Sequence, residues 1–322
     1  MENTDKPAVR WMDISAEQAG QRIDNFLLRV LKGVPKSRVY RLLRKGEVRV
    51  NKGRIRPEYR LQSGDRVRIP PVRIARAGDV PVAGPAPGAL AKAILYEDDR
   101  LLVLNKPAGM AVHGGSGLDF GVIEALRALR PDAPYLELVH RLDRATSGCL
   151  MIAKKRSELR TLHELLRSGD VDKRYLLLVQ GDWRQGPFKI DAPLRKNQQR
   201  GGERVVRVDP QGKTALTQFR FLEAYPGASL MEAELKTGRT HQIRVHAAHA
   251  GHPLAGDEKY GDEAFNRHMR RAGLKRMFLH AHYLAFTDSE RDRSVEVSAP
   301  LGKDLRAVVQ QLEYSPDTGL NR

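Results

Sequence analysis

His140-Arg141-Leu142-Asp143-Arg144-Ala145-Thr146-Ser147-Gly148 runs directly into Cys149-Leu150-Met151-Ile152-Ala153. The nonapeptide sets one carboxylate between two guanidiniums and follows it with a hydroxyl-rich turn. The pentapeptide is apolar. Together they read as a loop feeding a buried strand, with an acid held on the loop. A carboxylate beside fixed positive charge keeps its ionised form at neutral pH. On a rigid loop such a group can act as a nucleophile, and flanking cations suit a phosphate-bearing substrate. The bland alternative is a solvated surface ion pair, the usual fate of an Asp next to an Arg.

The chain around this loop has 322 residues, 41% of them hydrophobic, enough for one full core and a smaller second one. Its formal net charge of +17 and pI near 10.1 point to a polyanion partner, nucleic acid first. The charge is concentrated. Residues 20–76 hold 17 Lys/Arg against 4 Asp/Glu, whereas residues 1–19 hold 2 against 4. A short basic module is thus attached to a nearly balanced body. The lone cysteine, Cys149, excludes an intrachain disulfide and a cysteine metal site. The first 20 residues lack the apolar stretch of a secretory signal, and no apolar run approaches the roughly 18 residues of a membrane helix. The expectation is a soluble protein of a reducing compartment, the cytoplasm, without membrane contact.

Residues 20–70 read as a compact unit. Ile23, Phe26, Leu27, Val30 and Leu31 recur at helical spacing, and Gly33-Val34-Pro35 stops that helix. A second helix is predicted over Lys36 to Lys45, with Ser37 as N-cap and Gly46 past its end. Two strands follow, Glu47 to Asn51 and Arg66 to Ile69, with Asn51-Lys52-Gly53 as the reversal between them. Arg41, Arg44 and Lys45 fall away from the apolar face, and no acid occurs from Asn25 to Arg44 to neutralise them. Residues 1–19 are an N-terminal extension. The Pro/Gly-rich residues 71–92 form a linker. Residues 93–313 form the body, and 314–322 a polar tail. In the body, Leu101 to Asn105 and Tyr175 to Val179 are predicted strands, Val122 to Leu129 and Ser157 to Leu166 helices, and Pro226-Gly227 the turn of a hairpin. Strand-heavy stretches with interspersed helices argue for α+β.

Four body segments, in order, resemble the RluA family of pseudouridine synthases: Leu104-Asn105-Lys106-Pro107-Ala108-Gly109-Met110-Ala111-Val112-His113; the Asp143 loop; Lys173-Arg174-Tyr175-Leu176-Leu177-Leu178-Val179; and Thr237-Gly238-Arg239-Thr240-His241-Gln242-Ile243-Arg244-Val245-His246 with Gly256-Asp257-Glu258-Lys259-Tyr260-Gly261. Within that family the RluC-type branch, which acts on 23S ribosomal RNA, is the nearest likeness. The basic module resembles the S4 RNA-binding domain. The resemblance implies a catalytic domain on a largely antiparallel mixed β-sheet with flanking helices, beside a small α/β S4-like domain. It implies an isomerase that converts uridines of 23S (large-subunit) ribosomal RNA to pseudouridine by flipping the base, without a cofactor. Asp143 would be the catalytic carboxylate, Tyr175 the residue stacking on the base, and Arg244 the partner of Asp143, with Arg239 as a weaker candidate for that partner. Arg141 and His140 would handle the flipped nucleotide, and Ser37, Arg38, Arg41, Arg44 and Lys45 would lie against RNA. Attack at C1′ and proton removal from C2′ both remain open.

Rival chemistries find less support. His241, His246, His249 and His252 are dense enough to raise a zinc site, but they lack the H-E-x-x-H spacing and a cysteine partner. A helix with Thr240 as N-cap and Gly251 past its end would turn them to different faces. No phosphate loop or dinucleotide fingerprint occurs, and Leu118 breaks a G-x-S-x-G reading of Gly114-Gly115-Ser116-Gly117-Leu118. No metal and no cofactor is expected, and the default state is a monomer. Two other functions stay open: a non-catalytic RNA-binding or ribosome-assembly factor, and an N-glycosidase releasing uracil.

Overall fold

A computed structural model describes residues 9–31, 34, 36–72, 90–114, 121–198 and 204–314. The chain divides into two compact units, residues 1–83 and 84–322.

In the first unit, α1 (Ile23–Val30) and α2 (Lys36–Arg44) accompany a four-stranded antiparallel sheet. Its strands are β1 (Arg10–Asp13), β2 (Arg49–Val50), β3 (Gly53–Arg54) and β4 (Arg66–Ile69), ordered β1-β4-β2-β3. Ile23, Phe26 and Leu27 of α1 are buried with Val39, Leu42 and Leu43 of α2 and with Val48, Val67 and Ile69. Asp24 is buried too, and it accepts bonds from Arg22, Tyr40 and its neighbour's N–H. Three expectations change. β1 pairs with β4 along its whole length, so part of the supposed N-terminal extension is a strand of this sheet. Asn51-Lys52 closes the short β2–β3 hairpin, with φ of +48° and +66°, instead of leading to β4. Ser37 falls inside the first turn of α2, and its side chain lies outside the described residues, as do Gly33, Pro35 and most of the 71–92 linker.

The second unit is built on one large sheet. Its path is β10 (Lys189–Asp191), β13 (Leu216–Tyr225), β14 (Ala228–Leu235), β9 (Val171–Gln180), β15 (Leu279–Asp288), β8 (Ser147–Ala153), β6 (Leu101–Lys106) and β5 (Ile94–Glu97). β7 (Glu137–Leu138) adds to β8 and β16 (Arg293–Ser298) to β15. Every pairing is antiparallel except that of β15 with β8, which makes the sheet mixed, as the α+β expectation has it. β8 is buried at every residue because both faces are covered. Leu150 and Ile152 face one core with Leu102, Leu104, Leu177 and Val179, while Cys149 and Met151 face another with Leu101, Val103, Val171 and Leu284. α3 (Val122–Leu129), α4 (Arg156–Ser168), α5 (Gln242–His249), α6 (Glu263–Arg271) and α7 (Lys303–Glu313) flank the sheet. A separate hairpin, β11 (Leu194–Gln198) with β12 (Arg204–Val208), was not anticipated from its cationic, Gln-containing sequence. Among the described residues, no helix is long and apolar enough to cross a membrane.

Gly148 fixes how the Asp143 loop enters the sheet. Its φ is +109°, and a Cβ there would lie 2.2 Å from the carbonyl oxygen of Ala281, where β8 and β15 run parallel. Gly148→Ala should therefore cost more than about 3 kcal/mol of stability, because both the backbone and the space are closed to a side chain. Urea melts of the two proteins check this; equal midpoints would show that the close approach is not needed.

Candidate active site

The Asp143 loop joins β7 to β8 and is tied down from behind. Arg144 and Gly109 exchange bonds, Gly109 N–H to the Arg144 carbonyl at 2.8 Å and Arg144 Nε to the Gly109 carbonyl at 2.8 Å. Lys106 is fully buried beneath them. Its Nζ lies 2.8 Å from the Pro107 carbonyl, 2.9 Å from that of Met110 and 3.3 Å from that of Arg144. Burial pushes this amine down to about 7, while three carbonyl acceptors are matched only by the three donors of its charged form. Ser147, at the loop exit, donates to His280 Nδ1, whose Nε2–H donates to the Ala299 carbonyl. Asp143 is thus held on a rigid support.

The partner of Asp143 comes from far along the chain. Arg244 Nη1 lies 3.2 Å from Asp143 Oδ2. The same guanidinium forms a fork with Asp257, Nε to Oδ2 and Nη2 to Oδ1, both at 2.7 Å. Asp257 also accepts the N–H groups of Lys259 and Tyr260, at 2.9 and 3.1 Å. Burial opposes the charge of both groups, but their bonds outweigh it: the Arg244 guanidinium is held above its usual range and the Asp257 carboxyl below. The Tyr260 ring lies under Arg244, 4.9 Å from its guanidinium carbon.

The two guanidiniums adjacent in sequence play no such part. Arg144 bonds to Gly109, and Arg141 is exposed at the cavity without an ion-pair partner among the described residues. Arg239 bonds to the Thr214 carbonyl instead of to Asp143. His140 turns inward, its Nε2 accepting the Met151 N–H, and burial pushes its imidazole down to about 3. This bond fixes the ring to β8, while His140 also lines the cavity that holds Asp143. The helix of the histidines starts one residue later than expected, with His241 at N-cap in a left-handed conformation, φ +55°. Among these histidines, His246 is spanned by the Thr217 hydroxyl and the Ala192 carbonyl, and His252 bonds to the Gln180 carbonyl and stacks on Trp183.

Asp143, Arg244 and His241 line one cavity of about 500 Å³, together with Tyr175, Lys173 and Arg141. Tyr175 stands on β9, only 6% exposed, and its hydroxyl has no partner among the described residues. Burial, with the Asp143 charge, holds its phenol above the usual range, so at neutral pH it offers a neutral ring face and not a phenolate. Lys173, two residues earlier on the same strand face, is pushed down by burial. Asp257, Tyr260 and His241 had no catalytic role in the sequence reading, although the Gly256–Gly261 stretch carried the signal.

On the basic unit, Arg41, Arg44 and Lys45 are exposed and Arg38 is half-buried, none with an acidic partner among the described residues. A cleft beside them is lined by Trp11, Lys45, Glu47, Arg49, Lys52 and Arg68. Trp11 is 45% exposed, with the Arg66 guanidinium 5.1 Å from its ring. Exposed cations around an aromatic ring suit a nucleic-acid surface.

A carboxylate presented in a cationic cleft of a mixed sheet, on a chain that also carries a basic module, defines an enzyme directed at nucleic acid. Comparison with known proteins narrows the class. The RNA pseudouridylate synthase pattern matches residues 100–249 and the S4 domain pattern residues 21–67. The chain is 56% identical to the ribosomal large subunit pseudouridine synthase C of Haemophilus influenzae, over 96% of each chain, and 56% identical to that of Escherichia coli, over 96% of this chain and 98% of the relative. Among solved structures it resembles human RNA pseudouridylate synthase domain containing 4, with a TM-score of 0.59 at 26% identity, covering 72% of this chain and 97% of the other. The chain belongs to the RNA pseudouridylate synthase family and carries an S4 domain.

Proposed function

We propose that this protein isomerises uridines of large-subunit (23S) ribosomal RNA to pseudouridine, with Asp143 as its catalytic carboxylate. The observation that carries the reading is the Asp143–Arg244 pair in one cavity with Tyr175, with the buried Asp257 holding Arg244 from behind. An inert RNA-binding body has no need of a buried ionic relay that ends on a partly exposed carboxylate. A uridine stacked in RNA hides its glycosidic bond, so the nucleotide must swing out into the cavity. Arg141, exposed at the cavity, is free to fill the vacated space or grip a phosphate, and Tyr175 offers its ring face to the base.

Two routes fit. In one, Asp143 bonds to C1′ as the C1′–N1 pair departs with uracil. Uracil turns, C5 bonds to C1′, and the Asp143 bond breaks with its pair returning to the carboxylate. In the other, Asp143 takes the C2′ proton as the C1′–N1 bond breaks to a glycal, and returns it when C5 bonds to C1′. Either way the C5 proton leaves, and no nucleotide fuel or cofactor is consumed. Carboxylate attack at an anomeric carbon has a parallel in retaining glycosidases. The enzyme acts as a cytoplasmic monomer.

RNA tritiated at uracil C5 tests this. Isomerisation releases the label to solvent and keeps the base attached, an N-glycosidase frees labelled uracil, and binding alone releases nothing. The S4 unit carries a separate expectation. Replacing Arg41, Arg44 and Lys45 together by Gln should weaken RNA binding and reduce the slope of log affinity against log salt by roughly 2, at about 0.7–0.9 for each phosphate no longer neutralised. The rate at saturating RNA should hold. An unchanged slope would show that RNA does not lie against this face.

A further inference from the structure

Both side chains that approach Asp143 address the same oxygen. Arg244 Nη1 is 3.2 Å and His241 Nε2 3.8 Å from Oδ2, while Oδ1 has no partner among the described residues. We propose that His241 is a positioning residue: its Nε2–H, oriented by Tyr260, works with Arg244 to hold Oδ2, so that Oδ1 is the atom that meets the nucleoside. This deepens the pseudouridine synthase reading and rests on it.

The tautomer follows from the bonding. Tyr260 Oη accepts the Val206 N–H at 3.0 Å and lies 2.8 Å from His241 Nδ1. The hydroxyl has one proton, and His241 Nδ1 is its acceptor among the described residues. Nδ1 therefore accepts, and the proton of the neutral ring sits on Nε2, facing Asp143. The surroundings favour the neutral ring. Burial leads in lowering the proton affinity of His241; Arg244 and Lys259 act with it, and Asp143 and Asp257 against it. Tyr260 and the Val206 amide of β12 complete the shell.

The backbone supports a dedicated role. His241 adopts φ +55°, a left-handed conformation that side-chain-bearing residues rarely take outside constrained sites. Its ring meets Tyr260 edge to face at 5.5 Å between centroids. Tyr260 also lies under Arg244, so one ring orients both groups that reach Oδ2. The 3.8 Å separation is longer than a hydrogen bond, and such contacts tighten when substrate closes the site. With Oδ2 held, Oδ1 either forms the bond to C1′ as the C1′–N1 pair leaves with uracil, or takes the C2′ proton as that bond breaks.

The test uses full-length His241→Phe, His241→Gln and Tyr260→Phe on C5-tritiated RNA, reading single-turnover label release and RNA affinity separately. His241→Phe should release label about 10²-fold more slowly, the scale of losing one preorganised donor, with affinity unchanged. His241→Gln, whose amide can accept from Tyr260 and still donate, should recover to within about tenfold of wild type. Tyr260→Phe should fall between them. A wild-type rate in His241→Phe, or a loss of affinity at an unchanged rate, would overturn the proposal. So would Gln failing to rescue while its melting curve matches wild type. If His241→Phe does not fold, the Gln and Tyr260 variants decide. A wild-type enzyme that releases no label would instead sink the pseudouridine synthase reading.

Discussion

Asp143→Asn should release no label from C5-tritiated RNA, a loss of about 10⁴-fold or more, while binding RNA as tightly as wild type. The amide keeps the size of the carboxylate but is neither a nucleophile nor a base. It also leaves the neighbourhood intact. Arg244 remains forked to Asp257, so no buried guanidinium is stranded, and the Lys106 and Gly109 bonds to the loop run through the Arg144 carbonyl, not through the side chain of Asp143. Folding and catalysis are therefore separable in this variant. Melting should match wild type, and affinity should hold because phosphate contacts come from cations elsewhere. Label release near the wild-type rate would remove Asp143 from the chemistry.

How much of this could be read in advance depends on the distance over which each relation acts. Asp143, Tyr175 and Arg244 stood out because each sits in a short run with its own motif, and the cavity gathers all three. The partner of Asp143 did not follow from adjacency. Arg141 and Arg144 flank it in sequence, yet the loop turns them away, and the guanidinium that reaches it is 101 residues distant. That pairing is a product of sheet order and of the helix entry at His241, neither of which local periodicity encodes. Asp257 lay in a stretch that did stand out, Gly256 to Gly261, but its role did not: its work is to hold Arg244, 13 residues earlier, and that pairing shows only in the fold. In the first unit, Arg10-Trp11-Met12-Asp13 has no apolar alternation, so β1 is a strand only because the edge of β4 is there to pair with. The core strands and the α1 and α2 faces were legible because burial imposes the period directly.

Asp257→Ala should strongly destabilise the protein. The side chain of Asp257 has no exposed surface and that of Arg244 only 12%. Removing the carboxylate leaves a buried guanidinium without its main counter-charge and strands the Lys259 and Tyr260 N–H groups. Breaking such a pair costs about 3–5 kcal/mol, or a fall of roughly 6–20 °C in melting temperature for a unit of this size. Label release should fall with it, since Arg244 is then free to leave Asp143 Oδ2. The effect should depend on pH in a defined direction. The folded Asp257 carboxyl is held below its unfolded range, chiefly by Arg244 against the opposing effect of burial. Its contribution is then complete above the unfolded carboxylate value and is lost as pH falls through the depressed folded value. The gap between wild type and Asp257→Ala should accordingly narrow in acid. The double variant Arg244→Met/Asp257→Leu separates the two roles of the pair. An apolar replacement of similar volume should restore most of the melting temperature, because it removes two desolvated charges at once. It should leave label release lost, because nothing then reaches Oδ2 with a positive charge. If the double variant is both stable and active, Arg244 and Asp257 hold the fold alone, and Asp143 is aimed by something else.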